Sequence, residues 1–238
     1  MRVLDIALIS ICAALYASIG YLTYLGIFTP VIGVVRFWPA VIIPGVFAAL
    51  FGPLVGGIGA AIGIFISDML IHGNALLSIT VGVPANFVCF YLIGYISNRE
   101  ITWGKFVILS TLLFIVLHGG FIVLLDSGLI THEICIVFML TVAVSYVMLL
   151  LISYKEREWV SFEIGSFVGL MIGSLIIGIG VWAFSQFFIL PTGDINLPLY
   201  AAAIWFIWTF ATEIPFLVIL GPPILKVVRR AIPSVVRY

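Results

Sequence analysis

The residues that could do chemistry are few and lie far apart. Asp68 and His72 stand four apart, a spacing that on a helix puts both on one face, and Asn74 follows two positions on. An aspartate and a histidine so placed can form a hydrogen-bonded pair or supply two ligands to a metal. Two ligands without a third nearby do not make a metal site, so a hydrogen-bonded pair is expected and no metal. Asn86 and His118 sit singly within apolar runs, and Glu213 stands in Thr209-x-x-Thr212-Glu213-x-Pro215. A carboxylate among apolar residues needs a counter-charge, a proton or a wet cavity. Pro215 withholds a backbone donor just beside it, and the freed carbonyl also needs a partner.

Arg36 is the one basic residue between Arg2 and Arg99. It suits either an anchor at a membrane interface or a contact for an anionic solute. Trp38, Trp182, Trp205 and Trp208, with Gln186, supply amphipathic groups that fit an interfacial aromatic belt or the wall of a binding site. There is no GxxxxGK[ST] loop for nucleotide phosphates, and neither HExxH, GxSxG nor a catalytic pair of carboxylates. Cys12, Cys89 and Cys135 lie in apolar runs without CxxC spacing and read as buried thiols. Neither an enzyme nor a resident cofactor is implied.

The elements that must position these residues follow from composition. Of 238 residues, 64% are hydrophobic and 8% charged, against about a quarter charged in soluble domains. So few charges cannot cover a surface facing water, and the chain reads as one transmembrane domain, 1–238, in the cell membrane. Zero net charge and scattered basic residues exclude a nucleic-acid partner. Apolar runs fall near 4–25, 35–51, 53–71, 77–97, 105–125, 134–153, 161–188 and 199–225. They predict an all-α integral membrane protein of about eight transmembrane helices. The second run is short and carries Pro39 and Pro44, and Gly52-Pro53 leaves room only for a tight turn. The first run resembles a signal peptide but is long enough to span, so it is read as an uncleaved helix.

Nine of the ten basic residues (Arg2, Arg99, Lys105, Lys155, Arg157, Lys226, Arg229, Arg230 and Arg237) fall on one side of this arrangement, and Arg36 on the other. Basic loops are retained in the cytoplasm, so both ends are expected inside. Most of the costly polar residues then lie toward the outer half, as a cavity open to the outside requires. Small-residue stripes mark close helix contacts: Ala13-x-x-x-Ala17 with Gly20, then Gly56, Gly59 and Gly63, and Gly165-x-x-x-Gly169-x-x-x-Gly173.

The stretch Val35-Arg36-Phe37-Trp38-Pro39 to Ile43-Pro44-Gly45, then Leu50-Phe51-Gly52-Pro53-Leu54-Val55-Gly56-Gly57, ending Ile66-Ser67-Asp68-Met69-Leu70, resembles the substrate-binding S components of energy-coupling factor (ECF) transporters. The likeness covers about residues 1–97, and it is closest to the branch that takes up vitamins such as folate and pantothenate. It implies a solute-capturing subunit whose site is partly closed by the loop over 26–35. That subunit would work with a transmembrane T subunit and two ATPases. By the same resemblance Arg36 lies beside the site, and Ala13 and Ala17 meet the T subunit. Such proteins have six helices, so an eight-helix chain carries one extra hairpin: runs five and six, or six and seven.

The leading expectation is capture of a vitamin-like metabolite for uptake, with no chemistry of its own. Arg36 would meet a carboxylate or phosphate, and Trp38, Trp205 or Trp208 would pack on a ring. Asn74, Asn86 and Glu213 would supply hydrogen bonds, with Asp68 and His72 near by. The alternative is a stand-alone proton-coupled carrier using Glu213 or Asp68, although no internal repeat of the carrier kind is evident. The third is an intramembrane lipid-modifying enzyme using His118 or the Asp68–His72 pair.

Overall fold

The computed structural model describes the backbone of residues 2–27, 31–32, 35–36 and 38–232, and the side chains of 2–25 and 38–232. Among the described residues, seven helices are long and apolar enough to cross a membrane: α1 (Val3–Leu25), α3 (Pro53–Ile71), α4 (Ala75–Ser97), α5 (Trp103–Asp126), α6 (His132–Lys155), α7 (Arg157–Ser185) and α8 (Tyr200–Ala231). A shorter apolar helix, α2 (Pro39–Phe51), precedes α3. Beyond them the described residues hold one two-residue antiparallel pairing, Val31 with Arg36 and Ile32 with Val35. Large apolar side chains stay exposed around the outside, as on α5 at Ile108, Leu112, Ile115, Val116 and Val123. In water such a belt would be an aggregation surface; it is what a multi-pass membrane protein turns toward lipid.

Most of the expected runs became helices close to their sequence bounds, and the second begins four residues later than expected. Helix starts at Pro39, not at residue 35, because the ring of Pro39 disfavours helical backbone at the residue before it, and Trp38 has φ −130°. At about 1.5 Å per residue α2 is about 20 Å long, short of the roughly 30 Å hydrocarbon core. It is nonetheless central: Ala40, Val41, Ala48, Ala49, Leu50 and Phe51 are buried. The turn into α3 is as tight as expected. Gly52 adopts φ +107°, which L side chains rarely take, and Pro53 opens α3 where its missing N–H has no helical partner to lose.

Three of the described helices carry π-turns, α1 at its end over Thr23–Ile27. In α4 the widening runs over Ser78–Gly82. In α8 it runs over Phe216–Leu220, directly after Pro215, whose ring and missing donor break the regular ladder.

Glycines and small residues fix the helix contacts. On α3, a Cβ at Gly59 would come within 2.7 Å of Cys12 Sγ, and one at Gly63 within 2.9 Å of the Ala13 carbonyl. Ser67 Oγ donates to the Ala17 carbonyl at 3.2 Å. Later residues of α3 thus meet later residues of α1, so these helices run parallel. Along α7, Gly165, Gly169 and Gly173 lie against the Ile93, Cys89 and Ala85 carbonyls in turn, so α7 runs antiparallel to α4. The stripes serve packing within the chain.

The α5–α6 hairpin is peripheral. The most apolar windows of α5 and α6 are 17% and 28% buried, against 44–50% in the other long helices. The turns beside it gather many of the basic residues at one end of the bundle. Glu156 pairs with Lys226, and Glu158 lies 3.7 Å from Arg229. Arg157 covers the Trp103 ring at 3.4 Å and Arg229 that of Trp159 at 4.9 Å. The Lys226 ammonium and the Trp159 indole N–H hold the Glu156 carboxyl below the usual range. At the other end a small apolar cluster of Leu77, Val81, Val181, Phe184, Leu190, Ala201 and Trp205 ties α4, α7 and α8 together.

Candidate functional site

Between α3, α4, α7, α8 and the segment leading into α2, in the half of the bundle away from the basic end, lies a cavity lined by Trp38, Ile64, Asp68, His72, Leu77, Val81, Gly82, Asn86, Ile177, Val181 and Glu213. It encloses about 580 Å³ of empty space, mouth included. A deeper annex of about 220 Å³ shares Asn86, Ile177 and Glu213 with it and adds Ala85, Cys89, Phe90, Leu170, Gly173, Ser174 and Thr209. An apolar hollow with a few convergent polar groups is the usual form of a small-molecule site. Neither α5 nor α6 contributes to it.

The polar wall is built from α3 and the start of α4. Ser78 Oγ donates to Asp68 Oδ2 at 2.7 Å, and His72 Nε2 lies 3.4 Å from Asp68 Oδ1. The Asn74 backbone N–H donates to His72 Nδ1 at 3.1 Å, which leaves the ring proton on Nε2, facing the carboxylate. Gly82 makes room here: a Cβ on it would stand 2.9 Å from Asp68 Oδ2. The Tyr16 hydroxyl donates to Asn86 Oδ1 at 2.6 Å, and Asn86 Nδ2 donates to the Gly82 carbonyl at 2.9 Å. These bonds lock Asn86 at the junction of cavity and annex.

Trp38 closes one wall. Its ring packs edge-on to Tyr16, centroids 6.1 Å apart, and only 5% of the residue is exposed. Glu213 reaches the cavity from α8, two residues before Pro215, and 6% of it is exposed. Among the described residues no hydrogen bond or ion pair reaches its carboxyl.

Trp38, Asp68, His72, Asn86 and Glu213, drawn from separate parts of the chain, thus share one cavity. The other expected site residues lie elsewhere. Asn74 caps the start of α4, accepting from the Leu77 N–H at 3.0 Å, and supports the site only through His72. Trp205 is buried in the apolar end cluster. Trp208 turns toward α6, edge-on to Phe138 at 6.1 Å. Trp208 thus lies on another face of α8, whereas Trp205, two turns from Glu213 along the helix, packs with the wall residues Leu77, Val81 and Val181 without lining the cavity itself. His118 stacks on Phe114 at 3.9 Å in the peripheral hairpin, apart from the Asp68–His72 pair. Trp182 and Gln186 donate to the Leu197 carbonyl and tie down the loop before α8. Ala13 and Ala17 are buried, with α3 packed on their turns of α1, not on an outward face. Arg36 lies outside the described side chains; its backbone pairs with Val31. No group of three or more His, Cys, Asp or Glu side chains fit to hold a metal occurs among the described residues.

No protein-family model, curated protein or solved structure matches this chain. The cavity's use must then be read from its own lining. Tyr16, Ser78 and Ser174 were not foreseen from the sequence, and Thr209 was noted only as part of the motif around Glu213. Hydroxyls are common in apolar helices; the signals that could have found them were the four-residue spacings of Tyr16 from Gly20 and of Thr209 from Glu213.

Proposed function

We propose that this chain is a solute-capture subunit of an ECF-type uptake system, binding a vitamin-like metabolite from outside the cell membrane and passing it inward with a T subunit and two ATPases. The observation that carries this reading is the cavity itself: apolar, with convergent polar groups, walled by Trp38 just beyond the 26–35 loop. The chain lacks the loop needed to hold nucleotide phosphates, so energy from ATP would have to come from another subunit.

In this reading the chain crosses the membrane eight times with both ends inside. The parallel course of α1 and α3 supports it, because the segment between them must return the chain across the bundle. Clustering of Arg157, Lys226 and Arg229 at one end supports the same orientation. The six helices left when α5 and α6 are set aside would form the solute-binding core. With Ala13 and Ala17 occupied by α3, the T subunit would dock on the lipid side of α1, where Ser10, Ala14 and Ser18 are exposed at four-residue spacing.

Purification from native membranes tests the reading. The chain should bring with it a T-type membrane protein, two ATPases and a small metabolite identifiable by mass. Trp38→Ala should reduce the retained metabolite. Uptake into vesicles holding this chain alone, abolished by Glu213→Gln, would point instead to a stand-alone carrier.

A further inference from the structure

The chemistry of the bound solute can be read from which hydrogen-bonding capacity the lining has already used. The Tyr16 proton is committed to Asn86 Oδ1, the Ser78 proton to Asp68 Oδ2 and an Asn86 amide proton to the Gly82 carbonyl. The His72 Nε2 proton faces Asp68 Oδ1. What remains open is concentrated in the annex. Ser174 and Thr209 are 0% and 1% exposed, and neither hydroxyl oxygen has a partner. Both line the annex, with Glu213 between it and the outer cavity. Buried hydroxyls in a helix usually bond the carbonyl a turn earlier, and leaving each one unpaired costs stability. An unaccompanied carboxylate at this depth costs more. All three groups stand to gain from one incoming partner, and Glu213 accepts rather than donates when ionised.

Resting on the solute-capture reading, we propose that the annex is a subsite for a cationic N–H donor: a flat ring bearing a protonated amine or amidine. The donor group enters past Asn86 to meet Glu213, Ser174 and Thr209. The ring stays in the outer cavity, among Ile177, Val181 and the face of Trp38. The spare Asn86 amide proton and the two hydroxyls can serve a neutral heteroatom on the same ring, but Glu213 selects the charge. A carboxylate brought to the same place would offer Glu213 no counter-charge and would lose its own water in a poorly solvated cavity.

Benzamidine and benzoate, nearly isosteric and opposite in charge, are the probes. Purified full-length chain in detergent should melt several degrees higher with saturating benzamidine, by mass action on the folded state, and no higher with benzoate. Glu213→Gln should weaken benzamidine binding by roughly tenfold or more, as loss of a charge-assisted bond does. Thr209→Val keeps the side chain's volume and should weaken it by roughly two- to tenfold. Because Thr209→Val leaves the carboxyl in place, it keeps the test open should Glu213→Gln not fold. Stabilisation by benzoate over benzamidine, no response to benzamidine, or a benzamidine response unchanged in both variants would each overturn the subsite. Heating the purified protein and weighing the released metabolite separates the two readings. A metabolite with a protonatable nitrogen supports the subsite. One without it overturns the subsite and leaves solute capture standing, and no retained metabolite together with no probe response removes both.

Discussion

Trp38 walls the cavity because Gly20 leaves room for its ring. A Cβ on Gly20 would fall 2.2 Å from Trp38 Cζ2 and 2.6 Å from Cη2, so the indole occupies the space an alanine would need. The ring is wedged against Tyr16 and cannot turn aside freely. Gly20→Ala should therefore cost about 1–3 kcal/mol, the range for overpacking. The cost should largely vanish in a Trp38→Leu background. A double-mutant cycle on melting free energies checks this, and additive effects would mean the two do not meet. Glu163 on α7 poses the opposite case: it is 0% exposed and neither carboxyl oxygen has a partner. It lines neither the cavity nor the annex. Glu163→Leu should stabilise the fold by about 1–3 kcal/mol, because it replaces an unsatisfied buried carboxyl with a side chain that packs on its apolar neighbours. A lower melting temperature in that variant would reveal a partner for the carboxyl and refute the assignment. The sequence made Asp68, His72, Asn86 and Glu213 legible because polar groups stand out against an apolar run. Glu163 escaped notice beside the basic turn at 155–157, where a carboxylate looks solvated. The tryptophans were ambiguous for another reason: an indole suits an interface, a core and a ring-binding wall equally, and only packing separates Trp38 from Trp205 and Trp208.

Helix contacts follow the placement of glycine, and glycine does different things in different helices. A Cβ on Gly169 would lie 2.7 Å from both the Cys89 carbonyl oxygen and Ile93 Cγ1, where α7 crosses α4. Gly119 and Gly120 in α5 have nothing within 4 Å of a Cβ. Gly169→Ala should lower stability by about 1–3 kcal/mol as the helices are forced apart. Gly119→Ala should hold stability or raise it by up to about 1 kcal/mol through helix propensity. Melting both variants in the same detergent decides the matter, and equal effects would mean that the α4–α7 contact tolerates separation. This is the scale at which the sequence spoke most clearly. The glycine stripes marked the tight crossings, and Gly52-Pro53 gave the α2–α3 turn. The start of α2 was less legible, since hydropathy runs smoothly through residues 35–38 while the backbone cannot be helical just before Pro39. The partners of the stripes were not legible at all, because a small-residue face looks the same whether the helix that fills it belongs to this chain or to another.

Across the whole molecule, the cavity depends on α1, α3, α4, α7, α8 and the segment leading into α2, while α5 and α6 only lean against them. The ends of the hairpin also lie close together: Ser161 Oγ donates to the Arg99 carbonyl at 2.5 Å, so the chain leaves and rejoins the core at one place. In water, removing the hairpin would expose Trp208 and other apolar groups at great cost. In lipid the replaced contacts are met by acyl chains that are as apolar as the side chains removed. The Glu156–Lys226 pair flanks the hairpin and would be kept, while the contact of Arg157 with the Trp103 ring would be lost. A chain with residues 102–155 replaced by a short Gly/Ser linker should insert, remain monodisperse in detergent and bind benzamidine to within about threefold of the full-length chain, as expected when altered and binding regions share no partners. Loss of insertion or of binding in that variant would mean that the hairpin holds α7 and α8 in register. Retention would make α1–α4 with α7–α8 the unit that binds, and would leave α5–α6 free for contacts that the solute never feels.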